Sequence, residues 1–126
     1  MVSISIVIVN YNTKEYLGRC VMSIYESGIS ADRLQLIIVD NASQDSSLTS
    51  VKEFISRQSL NTQIICNSEN LGFSKAVNIG LRKCSGDYIC ILNPDTYIEK
   101  LCFNRLEEYM NQNLQVFFSI TFEKRS

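Results

Sequence analysis

Four short apolar runs rich in β-branched residues, at 4–10, 34–40, 62–67 and 87–92, are separated by segments whose apolar residues recur at helical spacing. A run that is apolar on both faces of its pleat needs cover above and below, as strands have in a parallel sheet flanked by helices. The first intervening segment has Thr13 as its expected N-cap and places Leu17, Cys20, Val21, Ile24 and Tyr25 on one face before Gly28. The second is expected to begin near Ser43 or Asp45 and carries Leu48, Val51 and Ile55; the third carries Val77, Leu81 and Cys84 and is expected to stop at Gly86. A fourth helix is expected over about 99–111 on the spacing of Cys102, Leu106, Tyr109 and Met110, with Phe103 flanking that face, and residues 114–122 (LQVFFSITF) read as a further strand. Strands alternating with helices predict an α/β fold, a mostly parallel sheet with helices on both faces and right-handed crossovers.

Composition narrows the function. A chain of 126 residues with 45% hydrophobic residues buries one core, so residues 1–126 read as a single domain. The 12 basic and 13 acidic residues nearly cancel and are scattered, leaving no basic stripe for nucleic acid. The five cysteines are odd in number and never spaced CxxC, which fits a reduced, cytoplasmic protein. No histidine occurs, which excludes Ser-His-Asp and Cys-His catalysis and the usual zinc ligands. The run at 4–9 is too short to span a bilayer and lacks a cationic lead, so neither a transmembrane segment nor a signal peptide is expected.

Each run ends in polar residues: Asn10-Tyr11-Asn12, Asp40-Asn41-Ala42-Ser43, Asn67-Ser68-Glu69-Asn70 and Asn93-Pro94-Asp95-Thr96. Singly, such residues cap helices and close turns, and that reading stays open for Asn12, Ser43 and Ser68. Four such endings at one edge of a parallel sheet form a polar crevice, the place where ligands bind in open α/β sheets. Asp95 follows a rigid proline turn and offers an oxygen to a hard cation such as Mg²⁺ or Mn²⁺, or else caps its turn. Asp40 can accept an N–H from a pyrimidine imide, or serve as an N-cap or turn partner of Ser43. Gly72 opens the third helix, where free N–H groups favour anions, and Lys75 adds charge one turn in, or is simply solvated. No GxGxxG or GxxxxGKS loop is present.

The stretches IVIVNYN with TKEYLGRCVMSI, LQLIIVDNASQDSS, and NSENLGFSKAVNIGLRKCSGDYICILNPDT resemble, in order, the N-terminal part of family 2 glycosyltransferases, particularly their rhamnosyltransferase-like members. The resemblance implies the Rossmann-like nucleotide-binding half of the GT-A fold and sugar transfer from a nucleotide diphosphate donor to an acceptor hydroxyl, with inversion. It implies that Asp40 recognises the base and that Asn10, Tyr11 and Asn12 line the nucleoside site. With the polar strand ends and the helix start, Asn41, Asn70, Gly72, Lys75 and Asn93 complete the expected nucleotide-binding set. Asp95 is implied as the metal ligand for Mg²⁺ or Mn²⁺, in a DxD-type motif whose first acid is here Asn93. A UDP- or dTDP-sugar is the implied donor.

After Thr96, no motif among Glu99, Glu107, Glu108 and Glu123 resembles the family's general base, and the ending VFFSITFEKRS departs from the expected Gly-containing strand. The chain therefore reads as lacking the C-terminal acceptor-binding half. The alternative to an active transferase is a catalytically incomplete nucleotide-sugar-binding module or truncated remnant. A flavodoxin-like domain shares the element order but has no motif in its favour. Left without cover, residues 114–122 are expected to pair with a second copy as a homodimer, and the location is expected to be cytoplasmic or peripheral to a membrane.

Overall fold

The computed structural model describes residues 2–58 and 60–113. Strand β1 spans Ile4–Asn10 and β2 Leu34–Asp40, matching the apolar runs residue for residue. They are followed by β3 at Asn61–Cys66 and β4 at Tyr88–Leu92. The order across the sheet is β3-β2-β1-β4, and every pairing is parallel. The winding runs from β1 outward through β2 to β3 and then returns past β1 to β4, so the switch point lies between β1 and β4, with all four carboxyl ends at one pole.

The helices are α1 (Tyr16–Tyr25), α2 (Ser47–Ser56), α3 (Phe73–Leu81) and α4 (Cys102–Gln112). On one face of the sheet, Ile4, Ile6, Ile8, Leu34, Leu36 and Ile38 pack with Leu17, Val21 and Ile24 of α1, Val51 of α2 and Phe103 of α4. Edge-to-face rings of Tyr25 and Phe54, 5.1 Å apart, join α1 to α2. On the other face, Val7, Ile37 and Val39 pack with Ala76 of α3. The two-sided cover inferred from the runs is thus present for β1 and for β2, which lies between β3 and β1 and is buried along its whole length, whereas the edge strands β3 and β4 keep exposed positions, Ile89 and Ile91 among them.

Helix starts differ from expectation for identifiable reasons. Thr13 does not cap α1: its hydroxyl donates to Asn10 Oδ1, and α1 begins at Tyr16. Neither Ser43 nor Asp45 opens α2: both are held in the preceding turn, and Asp45 Oδ1 accepts from Ser47 N at 3.1 Å. Residues 99–101 stay outside α4 because Leu101 N donates to the Ser27 carbonyl at 2.8 Å. Phe103 is the fully buried residue of α4, while Tyr109 is exposed. Gly86 ends no helix, since α3 stops at Leu81; a Cβ there would sit 2.7 Å from Ser5 N on β1. The expected strand at 114–122 lies outside the described residues. Among the described residues no helix is long and apolar enough to cross a membrane.

Candidate functional site at the carboxyl pole of the sheet

The register that pairs Asn10 with Asp40 brings the ends of β1 and β2 side by side. Asn10 is fully buried, at 0% exposure, and its Nδ2 shares two hydrogens among Asp40 Oδ1 (2.9 Å), Ser47 Oγ (3.0 Å) and Ser43 Oγ (3.2 Å). Asp40, 4% exposed, also accepts from Ser43 N at 3.0 Å and Ser43 Oγ at 2.7 Å. The turn partnership with Ser43 is therefore real. It leaves Oδ2, with one donor, as the carboxylate oxygen with capacity to spare. Burial of this carboxylate is made tolerable by the three donors, since an unpaired buried charge is strongly disfavoured.

Asn41 performs the same service one residue on. Its Nδ2 donates to the Gly72 carbonyl at 3.2 Å, and its Oδ1 accepts from Asn67 Nδ2 at 2.9 Å and Leu71 N at 3.4 Å. Asn41 thus fixes the turn that opens α3 against the end of β2. Gly72 holds φ +84°, open to glycine but costly for other residues, and its N–H donates to Asn70 Oδ1 at 2.9 Å. Lys75 stands exposed in the first turn of α3.

Asn10, Asp40 and Asn41 form the buried floor of the pole, and Tyr11, Asn12, Asn70, Lys75 and Asn93 its exposed rim. Asn12 Oδ1 accepts from Gln44 N at 2.7 Å, and Lys14 N donates to Asp45 Oδ2 at 2.9 Å, which ties the two turns together. The Ser47 hydroxyl bond, then the Lys14 and Ser47 backbone bonds, hold the Asp45 carboxyl below its ordinary range. Asn12, Lys14 and Ala42 all have positive φ, so backbone strain is concentrated in the loops of this pole.

Asp95 lies half-buried in the turn after β4, closed by Thr96 N donating to the Asn93 carbonyl at 3.1 Å. That turn is stitched to α1: Ile98 N donates to Ser23 Oγ at 2.9 Å, and Cys20 Sγ faces the Asn93 carbonyl at 3.9 Å. Burial, with a smaller push from Cys90 and Asp95, raises the Cys20 thiol to about 12. It stays neutral and is no nucleophile. Between α1 and the turn lies a cavity of about 270 Å³ lined by Tyr16, Arg19, Asp95, Thr96 and Tyr97. Sequence reasoning passed over Tyr16, Arg19 and Tyr97; an exposed Tyr-x-x-Arg on a helix looks like any solvated face.

No group of three or more acidic, histidine or cysteine side chains suited to a metal occurs among the described residues. One half-buried carboxylate at Asp95 with the Asn93 amide two residues away still fits a hard divalent cation that draws its remaining oxygens from substrate phosphates and water.

The profile of the family described as Glycosyl transferase family 2 matches residues 5–125. An uncharacterized glycosyltransferase of Haemophilus influenzae is 32% identical over 89% of this chain and 42% of its own length. Staphylococcus aureus TarS 1-349, solved in complex with UDP-GlcNAc, superposes with a TM-score of 0.80 at 22% identity over 87% of this chain and 31% of that one. The mannosyltransferase PcManGT from Pyrobaculum calidifontis, solved with GDP-Man and Mn²⁺, superposes at 0.71 with 24% identity over 75% of this chain and 28% of that one. These likenesses establish the Rossmann-like GT-A fold. The chain spans 33% and 42% of the two Haemophilus influenzae relatives. With the family profile matched from the first strand through the Asp95 turn and beyond, the chain belongs to glycosyl transferase family 2.

Proposed function

We propose that this chain binds a nucleotide diphosphate sugar at the carboxyl pole of its sheet, as the donor-binding part of an inverting glycosyltransferase acting on an acceptor hydroxyl. The observation that carries the reading is the single pole that gathers the buried Asp40 carboxylate, the start of α3 at Gly72 and Asp95. Each answers one part of such a ligand. Asp40 Oδ2 accepts the imide N–H of a uracil or thymine base, which favours UDP or dTDP donors. The free N–H groups at the start of α3, with Lys75, receive the diphosphate. A Mg²⁺ or Mn²⁺ ion held by Asp95 supplies neutralisation of the charge that develops on the departing diphosphate. Tyr11 and Asn12 flank the nucleoside, while Asn10 and Asn41 hold Asp40 and the Gly72 turn in place. The UDP-GlcNAc and GDP-Man/Mn²⁺ complexes of similarly folded proteins support this assignment.

A second reading, donor binding without transfer by this polypeptide alone, is favoured by the placement of Glu107. It pairs with Arg33 and lines a groove with Ile4 and Tyr88, at the pole opposite Asp95. It is out of reach as a general base for a sugar at the carboxyl pole. Self-association through residues 114–122 and a cytoplasmic or membrane-peripheral location belong to the same proposal.

Calorimetry of UDP and dTDP with Mn²⁺ and with a chelator tests the main reading. Binding is expected to weaken on chelation and in Asp95→Ala, and to fall about ten- to a hundredfold in Asp40→Ala. Equal affinity in all four cases refutes it.

A further inference from the structure

We infer that the cavity between α1 and the Asp95 turn is a subsite for a pyranose bearing a carboxylate, gripped by Arg19 between two tyrosine rings. At about 270 Å³ it lies just under the roughly 300 to 1,000 Å³ of pockets that enclose drug-sized ligands, so it suits one sugar ring rather than a whole nucleotide. Its walls have the matching chemistry. Tyr16 and Tyr97 present aromatic surface, 37% and 53% exposed, whose negative ring faces attract the weakly positive C–H face of a pyranose.

Arg19 is the cavity's one cation, and neither ion pair among the described residues involves it: those pairs are Arg33–Glu107 and Arg57–Glu53. Its guanidinium carbon lies 6.0 Å from the centroid of the Tyr16 ring, the outer limit of a cation–π contact, so the ring supports the fork and leaves its N–H edge for a ligand. A planar guanidinium matches a carboxylate in two parallel hydrogen bonds, a match that a neutral hydroxymethyl group cannot reproduce. Thr96 lines the same cavity, and its buried hydroxyl oxygen has no hydrogen-bond partner among the described residues. Asp95 lines the cavity too and repels a carboxylate unless a cation covers it, so the site fits an acidic sugar best beside a cation-bridged diphosphate.

The sugar could arrive on the donor or on the acceptor, and two pairs of probes separate these sources. The donor arm, which rests on the nucleotide-sugar reading, compares UDP-glucuronate with UDP-glucose. The acceptor arm compares methyl β-glucuronide with methyl β-glucoside and needs no nucleotide. All are titrated with Mg²⁺ into the full chain, its Arg19→Ala and Arg19→Lys variants, with ligand-observed NMR as readout and thermal melting to confirm folding. The glucuronide of at least one pair is expected to bind about three- to tenfold tighter than its neutral partner, since Arg19 is exposed and partly screened. Arg19→Ala should erase that preference and Arg19→Lys keep part of it. A preference in the first pair alone assigns the subsite to the transferred sugar, and one in the second pair to the acceptor. Equal binding within both pairs overturns the inference, as does an Arg19→Ala variant that weakens plain UDP as much as UDP-glucuronate, which would make Arg19 a diphosphate ligand. Failure of UDP to bind the unmodified chain refutes the nucleotide reading instead, and leaves the glycoside arm to decide this one.

Discussion

Replacing Asn10 with aspartate keeps the shape of the side chain and reverses its chemistry. In place of an amide that donates to Asp40 Oδ1 at 2.9 Å, a second carboxylate oxygen would face the first, with both residues buried. The loss of a hydrogen bond to a charged acceptor costs about 1.5 to 3 kcal/mol, and an uncompensated buried charge brings the total to about 3 to 5 kcal/mol. For 126 residues the unfolding entropy is roughly 0.26 kcal/mol/K, so Asn10→Asp should melt roughly 10 to 20 °C lower. One of the two carboxyls must then bind a proton in the fold at a pH where the unfolded chain is ionised. With its folded pKa raised, stability is present below about pH 4 and lost as pH rises, so the deficit should shrink in acid. Combining Asn10→Asp with Asp40→Asn restores one donor opposite one carboxylate. Urea unfolding of the two single variants and the double variant should give a coupling free energy above about 1.5 kcal/mol in favour of the swap. Additivity within about 0.5 kcal/mol, or a neutral Asn10→Asp, would show that Asn10 does not hold Asp40.

Gly86→Ala should lose about 1 to 3 kcal/mol by thermal unfolding, because the new methyl would meet backbone of β1 at 2.7 Å and 3.0 Å, which has no rotamer to escape into. Cys66 is exposed and should react with Ellman's reagent in the native protein, whereas buried Cys20 and Cys90, both pushed up to about 12, should react only on unfolding. The same two thiols keep their protons in the fold while the unfolded chain begins to lose them near pH 9, so stability should fall by up to about 1.4 kcal/mol per thiol per pH unit from there towards 12. Lys75→Ala should weaken UDP binding at low ionic strength and matter less as salt is raised, as measured by calorimetry, because that lysine is exposed.

The limits of β1 and β2 were legible because a strand covered on both faces must be apolar throughout and can end only where a polar residue finds a partner. Helix faces were equally legible, as with Leu17, Cys20, Val21 and Ile24 of α1. Helix starts were not, because the groups that decide them come from elsewhere in the chain. Thr13 bonds to Asn10, and the Leu101 N–H is taken by Ser27. The polar pole was foreseen from the strand endings, but the division of labour within it was not. An asparagine that supports a neighbouring carboxylate and one that meets a ligand look alike in sequence. Only the pairing of Asn10 with Asp40 across two strands separates them. Arg19 was overlooked because the turn that faces it lies more than seventy residues further along the chain.

The handedness of the connections restricts how the sheet can grow. Steps from β1 to β2 and from β2 to β3 cross over the face that carries α1 and α2, and the step back to β4 crosses the opposite face with α3. Helix α4 returns to the α1 face. A right-handed crossover that leaves β4 on that face leads towards the position β1 already fills. A parallel strand placed directly after α4 on the outer edge of β4 would therefore close a left-handed loop, which protein chains nearly always avoid. Ile89 and Ile91 stand exposed on the α3 side of β4. The natural complement for this margin is an antiparallel strand, or one donated by another polypeptide, and the winding of the first hundred residues has already made that choice.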